Sequence, residues 1–146
     1  MPLHLIKLCV GCDSIEDLAS WQAERLRARR RAGEKKPRLF HRTFQTPKRA
    51  AELIDGGSLY WVIKGVVRVR QRIKAFEAGR RDDGTPCCEI ALDKTLVRTL
   101  PKPMRAFQGW RYLEAADAPR DLGVGGKGLA DMPPKLVEEL RVLGLL

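Results

Sequence analysis

The sequence predicts an α+β fold in one domain that spans residues 1–146, with a mostly antiparallel sheet and about three helices packed on it. A chain of 146 residues is the usual size of one domain, and a hydrophobic fraction of 44% is enough for a single core. Segments with strand periodicity outnumber those with helical periodicity, and two of the strands are expected to form a long hairpin. No apolar run approaches the roughly 20 residues of a membrane helix, and the N-terminus lacks the features of a signal peptide, so we expect a cytoplasmic protein.

The N-terminal part of the chain is predicted to hold a strand and a long helix. Residues 3–9 alternate enough to form a strand. The stretch "DSIED" then indicates a helix start, where Asp13 with Glu16, or Ser14 with Asp17, can form a capping box. One face of the helix is expected to be buried, with Trp21 on its flank. That face carries Ile15, Leu18, Ala19, Gln22 and Leu26.

Two further strands are predicted with a short helix between them. Their patterns are "RLFHRTFQ" and "LYWVI". Thr46 and Pro47 are expected to open the helix as its N-cap and first helical residue. The helix is expected to bury Ala50, Leu53 and Ile54.

The next predicted elements are a β-hairpin and a closing helix. The strand "VVRVRQRIKAF" is followed by a turn at residues 79–86, and residues 87–92 are expected to pair back on it. After residue 100 the pattern gives no clear element until residues 132–143, which are predicted to form the last helix.

Basic residues are concentrated in two segments. The net charge is +10, and residues 21–50 hold eleven Lys or Arg against Glu24 and Glu34. Residues 64–81 hold seven against Glu77, so the rest of the chain is net acidic. Such concentration is typical of a face that binds an anion, although a solvated surface on an arginine-rich protein explains it equally well.

The strand "VVRVRQRIKAF" carries the sharpest charge pattern. In a regular strand, one face would hold Arg68, Arg70, Arg72 and Lys74, and the other would hold Val67, Val69, Gln71, Ile73 and Ala75. Residues two apart lie roughly 6.6–6.8 Å from each other, so the cations would form a ladder about 20 Å long.

This ladder predicts a partner with a phosphate backbone, RNA or single-stranded DNA, because arginine pairs with phosphate and because binding releases counterions. Arg29, Arg30 and Arg42 are expected to widen the surface, with Arg25 and Arg31 beside them. The alternatives are a solvated sheet face and charges that protect an exposed strand edge.

The motif "CVGC", Cys9 to Cys12, follows a predicted strand and precedes a helix start. This placement is typical of redox motifs, and the spacing also suits zinc, for which Cys87, Cys88, His4 and His41 are the further candidate ligands. Because the four thiols do not converge in the predicted topology, we expect reduced cysteines and no metal or other cofactor. The Gly-rich stretch "GVGGKG" lacks the strand and the helix that a dinucleotide-binding loop requires.

The motifs leave enzymatic activity and oligomeric state open. An enzyme acting on a nucleotide or a nucleic acid would need a cleft, and the candidate residues near the Gly-rich loop are Tyr60, Trp61, Lys64, Gln71, Trp110 and Lys127. Trp61 is also the residue that we expect to find in the core, on the face that it shares with Leu59 and Ile63. A third hypothesis is a basic module that binds an acidic protein.

Several stretches resemble a known family. "LHLIKLCVG", "SLYWVIKG", "RQRI" and "RAFQGWRYL" are similar to an uncharacterised alphaproteobacterial family known only as a domain of unknown function. This resemblance implies a bacterial cytoplasmic protein and assigns no site residue. The order of "FQTPKRAAELIDGG", "LYWVIKG" and a strand with Arg70 and Gln71 also resembles PUA-like domains, including ASCH domains, which implies an open β-barrel and RNA binding.

Overall fold

A seven-stranded mixed sheet organises the chain in the computed structural model, which describes residues 2–105, 107 and 109–122. The strands are β1 (His4–Leu8), β2 (Leu39–Thr43), β3 (Ser58–Ile63), β4 (Val66–Arg80), β5 (Pro86–Leu92), β6 (Val97–Pro103) and β7 (Trp110–Leu113). The helices are α1 (Ile15–Arg31), α2 (Ala50–Ile54) and a short 3-10 helix, Ala115–Asp117. The predicted α+β class is confirmed.

The sheet is built around the long strand β4. Its first half pairs with β3 on one edge and β6 on the other, and its second half pairs with β5, which in turn pairs with β2. β1 runs parallel to β3, and every other pairing in the described residues is antiparallel. The described sheet does not close into a barrel, so the barrel alternative is not supported. No described helix is both long and apolar enough to cross a membrane.

Helix α1 begins and packs as its sequence predicts. Ser14 is the N-cap, and its side-chain oxygen accepts a hydrogen bond from the backbone N–H of Asp17 at 3.1 Å. Leu18 and Gln22 are buried, and Ile15 and Leu26 pack against the same core. This core lies on the side of the sheet that α1 covers, and it includes Leu59, Trp61 and Ile63, as predicted.

Helix α2 is shorter than predicted. It begins at Ala50 and not at Thr46 and Pro47, and Arg49 takes the N-cap position without a side-chain hydrogen bond to the helix. Leu53 is fully buried, whereas Ile54 is exposed, so the prediction that Ile54 is buried is wrong. Ala50 is half-buried, so Leu53 is the one fully buried residue of this five-residue helix.

Two register shifts in β4 change the predicted faces of that strand. Val67 is opposite Val62, but Val69 is opposite Trp61, so the strand is bulged at Arg68. A second core lies on the face of the sheet opposite to the one that α1 covers. Val67 packs in this second core with Tyr60 and Phe107, whereas Val69 packs in the first.

A second shift, between Ile73 and Ala75, bulges the strand at Lys74. Phe76 now packs against the core that contains Ile73, and Ala75 takes the opposite face. The predicted alternation is therefore correct from Val69 to Ile73 and wrong at Val67 and Ala75, because each bulge inserts one residue and reverses the face.

Strands β6 and β7 are elements that the sequence pattern did not predict. The predicted helix at residues 132–143, the Gly-rich loop at 123–128 and Lys127 lie outside the described residues. The described part contains two α-helices rather than the predicted total of about three.

Candidate functional site

Arg70, in the middle of the predicted basic ladder, is ion-paired with Asp121. Its Nε and Nη2 atoms each donate a hydrogen bond of 2.7 Å to one carboxylate oxygen of Asp121, and Nη1 donates to Ser58 Oγ at 3.0 Å. The hydrogen bonds from Arg70 hold the pKa of Asp121 below its usual value. A planar, two-point ion pair of this kind leaves Arg70 with little charge to offer a phosphate.

The other ladder cations differ in exposure. Arg68 is half-buried at the bulge, and its Nε is buried without a hydrogen-bond partner among the described residues. Arg72 and Lys74 are exposed and form no ion pair within the described part of the chain. The ladder therefore offers two exposed, uncompensated cations where the sequence predicted four.

Of the described residues of the predicted enzymatic cleft, the structure joins Trp61 and Gln71 by a hydrogen bond inside the core and places the others apart. Tyr60 packs in the second core, and Trp61 packs on the opposite face of β3, in the core under α1. Lys64 lies in the β3–β4 turn, 3.7 Å from Asp13. Trp110 packs on Tyr112 and donates to the backbone oxygen of Gln45 at 3.3 Å.

Gln71, the remaining described member of that predicted cleft, is fully buried inside the core. Its amide hydrogen-bonds to Gln22 and accepts a hydrogen bond from Trp61, so its polar atoms are occupied by the protein itself. Lys127 lies outside the described residues.

A different concave region lies between α1, β2 and the end of β1, and we call it the α1–β2 cleft. It consists of two adjoining cavities of about 210 Å³ and 440 Å³ that share four lining residues, Arg25, Phe40, His41 and Arg42. The smaller cavity is further lined by Lys7, Cys9, Trp21 and Trp61, and the larger by Arg29, Arg38 and Glu89. None of the four ladder cations of β4 lines either cavity.

The cleft is rich in positive charge. Five cations line it, Lys7, Arg25, Arg29, Arg38 and Arg42, against one described carboxylate, Glu89. Arg25 forms no ion pair with the described residues, whereas Arg29 lies 3.6 Å from Glu34 and Arg38 lies 3.0 Å from Glu77. Arg42 lies 3.5 Å from Glu89 and 3.6 Å from Asp82. These pairs are partly exposed, and such pairs contribute only about 0–1 kcal/mol each, so a bound phosphate can replace them at little cost.

His41 stands at the junction of the two cavities as a neutral imidazole. Its pKa is lowered to about 3, first by burial and then by the charges of Lys7 and Arg25. The ring packs edge-on against Trp61 at 4.9 Å between centroids. Its Nε2 atom is buried without a hydrogen-bond partner in the described structure.

Aromatic rings alternate with the cations along the cleft. Trp21 is 41% exposed on the flank of α1, as its sequence position predicts. Two guanidinium groups contact the Phe40 ring, with Arg29 Cζ at 4.8 Å and Arg38 Cζ at 4.9 Å from its centroid. Trp61 belongs to both the core and the cavity wall.

Cys9 of the CVGC motif lines the same cleft and is joined to Cys12 by a disulfide, with the two Cα atoms 5.6 Å apart. The expectation that they are reduced is therefore wrong for this structure. Cys87 and Cys88 remain free and buried on β5. Among the described residues, no three His, Cys, Asp or Glu side chains are grouped so that they could hold a metal ion.

Sequence reasoning found part of this cleft and missed the rest. Arg29, Arg30 and Arg42 were predicted as one patch with the β4 ladder, but Arg29 and Arg42 line the cleft, and Arg30 is exposed on the last turn of α1. Lys7, Phe40 and Arg38 carried no signal of their own, because each belongs to an ordinary strand pattern. The one available clue was the density of arginine at the end of α1, close in sequence to β2.

The comparisons with known proteins give a family and no activity. Residues 5–146 match the family described as "Protein of unknown function (DUF1489)". No curated protein and no solved structure matches the chain. The resemblance to a family of unknown function is confirmed, and nothing supports the resemblance to PUA-like domains.

Proposed function

The chain belongs to the DUF1489 family, and from the geometry of its described residues we propose that it binds single-stranded nucleic acid, with RNA as the first candidate, in the α1–β2 cleft. The observation that carries the proposal is the lining of the cleft, in which five cations and three aromatic rings surround two adjoining cavities. Single-stranded nucleic acid is bound by this combination, because cations contact the backbone and rings stack on the bases.

The larger cavity supports contacts with phosphates. Arg25, Arg29 and Arg42 approach it from two different elements, α1 and β2, so a strand laid across it meets cations on both sides. Guanidinium groups suit this task, because their planar fork of donors matches the oxygens of a phosphate.

The smaller cavity supports a contact with a base. Trp21 lies at its edge with part of its ring in solvent, where a base can stack on it. The low pKa of His41 keeps the ring that lines this cavity neutral.

The decisive experiment compares the cleft with the ladder that the sequence predicted. Binding of a labelled single-stranded RNA is measured by fluorescence anisotropy over a series of salt concentrations, for wild type, for Arg25→Gln/Arg29→Gln and for Arg72→Gln/Lys74→Gln. Both double variants remove two positive charges from exposed or half-buried positions, so the overall charge is matched.

We expect the α1 variant to bind more weakly at every sequence tested, with a shallower log–log dependence on salt, by about 0.7 per lost phosphate contact. The β4 variant should remain close to wild type. If the β4 variant loses affinity and the α1 variant does not, the ladder is the interface and the cleft is not. If no variant, including wild type, shows salt-dependent binding to RNA or single-stranded DNA at micromolar protein, the proposed function is wrong.

A further inference from the structure

The disulfide between Cys9 and Cys12 stands at the junction of β1 and α1. Cys9 follows the last residue of β1, and its N–H donates to the Val62 backbone oxygen at 2.8 Å. Cys12 lies two residues before Ser14, the N-cap of the 17-residue helix α1. Gly11, between them, has a φ of +83°, a left-handed conformation that glycine adopts without strain and that this tight turn requires.

The bridge is a poor structural staple. A cross-link stabilises a fold chiefly by restricting the unfolded chain, and this effect is smallest for the shortest loops. Cys9 and Cys12 are only three residues apart. Cys9 is moreover held by its backbone hydrogen bond to β3, whether or not the sulfurs are bonded.

The bridge can be reached from the α1–β2 cleft. Cys9 lines the cavity of about 210 Å³, and the neighbouring Val10 is 83% exposed. Trp21 packs over the turn, since a Cβ added to Gly11 would lie 3.2 Å from the end of its ring. Cys9 is itself 9% exposed, and Cys12 is 5% exposed and does not line the cavity, so a thiol that enters the cavity meets Cys9 first.

The charges around the pair distinguish its two sulfurs. Lys7 and Arg25 line the same cavity as Cys9, and nearby cations favour a thiolate. Cys12 precedes Asp13, and Glu16 and Asp17 stand in the first turn of α1, so carboxylates are concentrated on its side. Cys9 lines the cavity and Cys12 does not, so Cys9 is the sulfur that a partner can reach, and the cations beside it favour its release as a thiolate when the mixed disulfide breaks.

We propose that Cys9 and Cys12 form a thiol–disulfide exchange site, and that its reaction partner is a dithiol of another molecule. A partner thiolate attacks Cys9 Sγ, the Cys9–Cys12 bond breaks, and Cys12 leaves as a thiolate that takes a proton from water. The second thiol of the partner loses its proton and attacks the partner's own sulfur in the mixed disulfide, which releases the Cys9 thiolate. The partner is then oxidised to a disulfide, and Cys9 and Cys12 have gained two electrons and are both thiols. This inference does not depend on nucleic-acid binding.

The test uses the folded, full-length protein and glutathione as the probe. Samples are equilibrated without denaturant at a series of ratios of reduced to oxidised glutathione, the free thiols are alkylated, and each cysteine is located by peptide mass spectrometry. We expect Cys9 and Cys12 to pass together from disulfide to dithiol within this series, because an exchange site is poised against the thiol pool. Cys87 and Cys88, which are free and line neither cavity of the cleft, serve as internal controls.

A second variant identifies the attacked sulfur. In Cys12→Ser we expect glutathione to accumulate as a mixed disulfide on Cys9, and Cys87→Ser should leave the wild-type titration unchanged. Two results of the wild-type titration would overturn the proposal without any variant. In the first, the disulfide persists at every glutathione ratio unless the protein is unfolded, which would make it a structural cross-link. In the second, the two cysteines stay reduced at every ratio.

Discussion

Gln22 on α1 and Gln71 on β4 bind each other through two amide hydrogen bonds inside the core. Gln22 Nε2 donates to Gln71 Oε1 at 2.7 Å, and Gln71 Nε2 donates back to Gln22 Oε1 at 2.8 Å. Gln71 Oε1 also accepts a hydrogen bond of 2.9 Å from Trp61 Nε1, and its Nε2 donates to the Asp93 backbone oxygen at 3.0 Å. This network fixes α1 at one position on the sheet and thereby fixes the wall of the α1–β2 cleft.

Replacing one member of the pair should therefore be costly. In Gln71→Leu, the amide of Gln22 and the indole N–H of Trp61 lose their partner inside the core, and each unsatisfied buried group costs about 1–3 kcal/mol. We expect the free energy of unfolding, measured by urea denaturation, to fall by about 3 kcal/mol. Gln45→Leu, on an exposed side chain, should change it by less than about 0.5 kcal/mol.

The double variant Gln22→Leu/Gln71→Leu isolates the pair itself. It should be more stable than the sum of the two single changes predicts, because no amide is left facing an apolar neighbour. Strict additivity of the two losses would show that the amides do not interact.

Trp61 and Trp21 should respond differently to truncation. Trp61 is 3% exposed, so Trp61→Ala should lower the free energy of unfolding by roughly 3–5 kcal/mol, as for other buried aromatic residues. Trp21→Ala removes a ring that is 41% exposed, so it should cost less stability than Trp61→Ala, while it weakens RNA binding in the anisotropy assay. If Trp61→Ala left the free energy of unfolding unchanged, Trp61 would not be a core residue. If Trp21→Ala left the RNA affinity unchanged, Trp21 would not stack on a base.

The sequence predicted the parts of the fold that depend on local patterns. The apolar run of β3, the amphipathic face of α1 with its Ser14 cap, and the hairpin of β4 and β5 all follow from residues that are close in the chain. The bulges at Arg68 and Lys74 could not be predicted, because neither position is a glycine and each shift arises from pairing with a distant strand. Strand β6 was missed because Pro101 and Pro103 lie within it, and proline usually argues against a strand.

The candidate site depended even more on distant contacts. Asp121 neutralises Arg70 from 51 residues away, so an alternating pattern of arginines could not reveal that one of them is paired. The α1–β2 cleft joins Lys7, Arg25 and His41 from three separate elements. Charge counting predicted an anion-binding face, and the packing of α1 against β2 was needed to choose the position that we propose for it.

Gly57 should be irreplaceable for steric reasons alone. A Cβ at this position would collide with the backbone oxygens of Leu3 and Leu53, which belong to the chain before β1 and to α2 and cannot rotate away. We expect Gly57→Ala to lower the free energy of unfolding by about 3 kcal/mol or more, at the upper end of the range for overpacking. The measurement is denaturation in urea.

The neighbouring Gly56 provides the matched control. It has a φ of +87° and space around its Cα, with the nearest atom to an added Cβ at 3.6 Å, so Gly56→Ala tests conformation without collision. It should cost roughly 1–2 kcal/mol, the penalty of a left-handed conformation for alanine. Equal losses in the two variants would mean that the backbone moves aside at Gly57.

Because of His41, the free energy of unfolding should depend on pH even at pH values higher than those at which carboxylates titrate. Its pKa in the folded protein is about 3, against an ordinary value of 6.5, so below pH 6.5 the unfolded chain takes up a proton that the folded protein does not. The stabilisation is complete above pH 6.5 and is lost progressively as the pH falls toward 3. Between pH 6.5 and pH 5 the loss amounts to as much as about 2 kcal/mol, at 1.36 kcal/mol per unit of pKa.

His41→Phe tests this dependence, because phenylalanine keeps an aromatic ring against Trp61 and cannot take up a proton. Urea denaturation at pH 7 and at pH 5 should show a smaller loss of stability on acidification in the variant than in wild type. His4, whose pKa is also lowered, first by burial and then by Arg70, contributes in the same direction in both proteins and cancels in the comparison. Parallel losses in wild type and variant would mean that His41 takes up its proton without unfolding, and that its ring is open to water from the cleft.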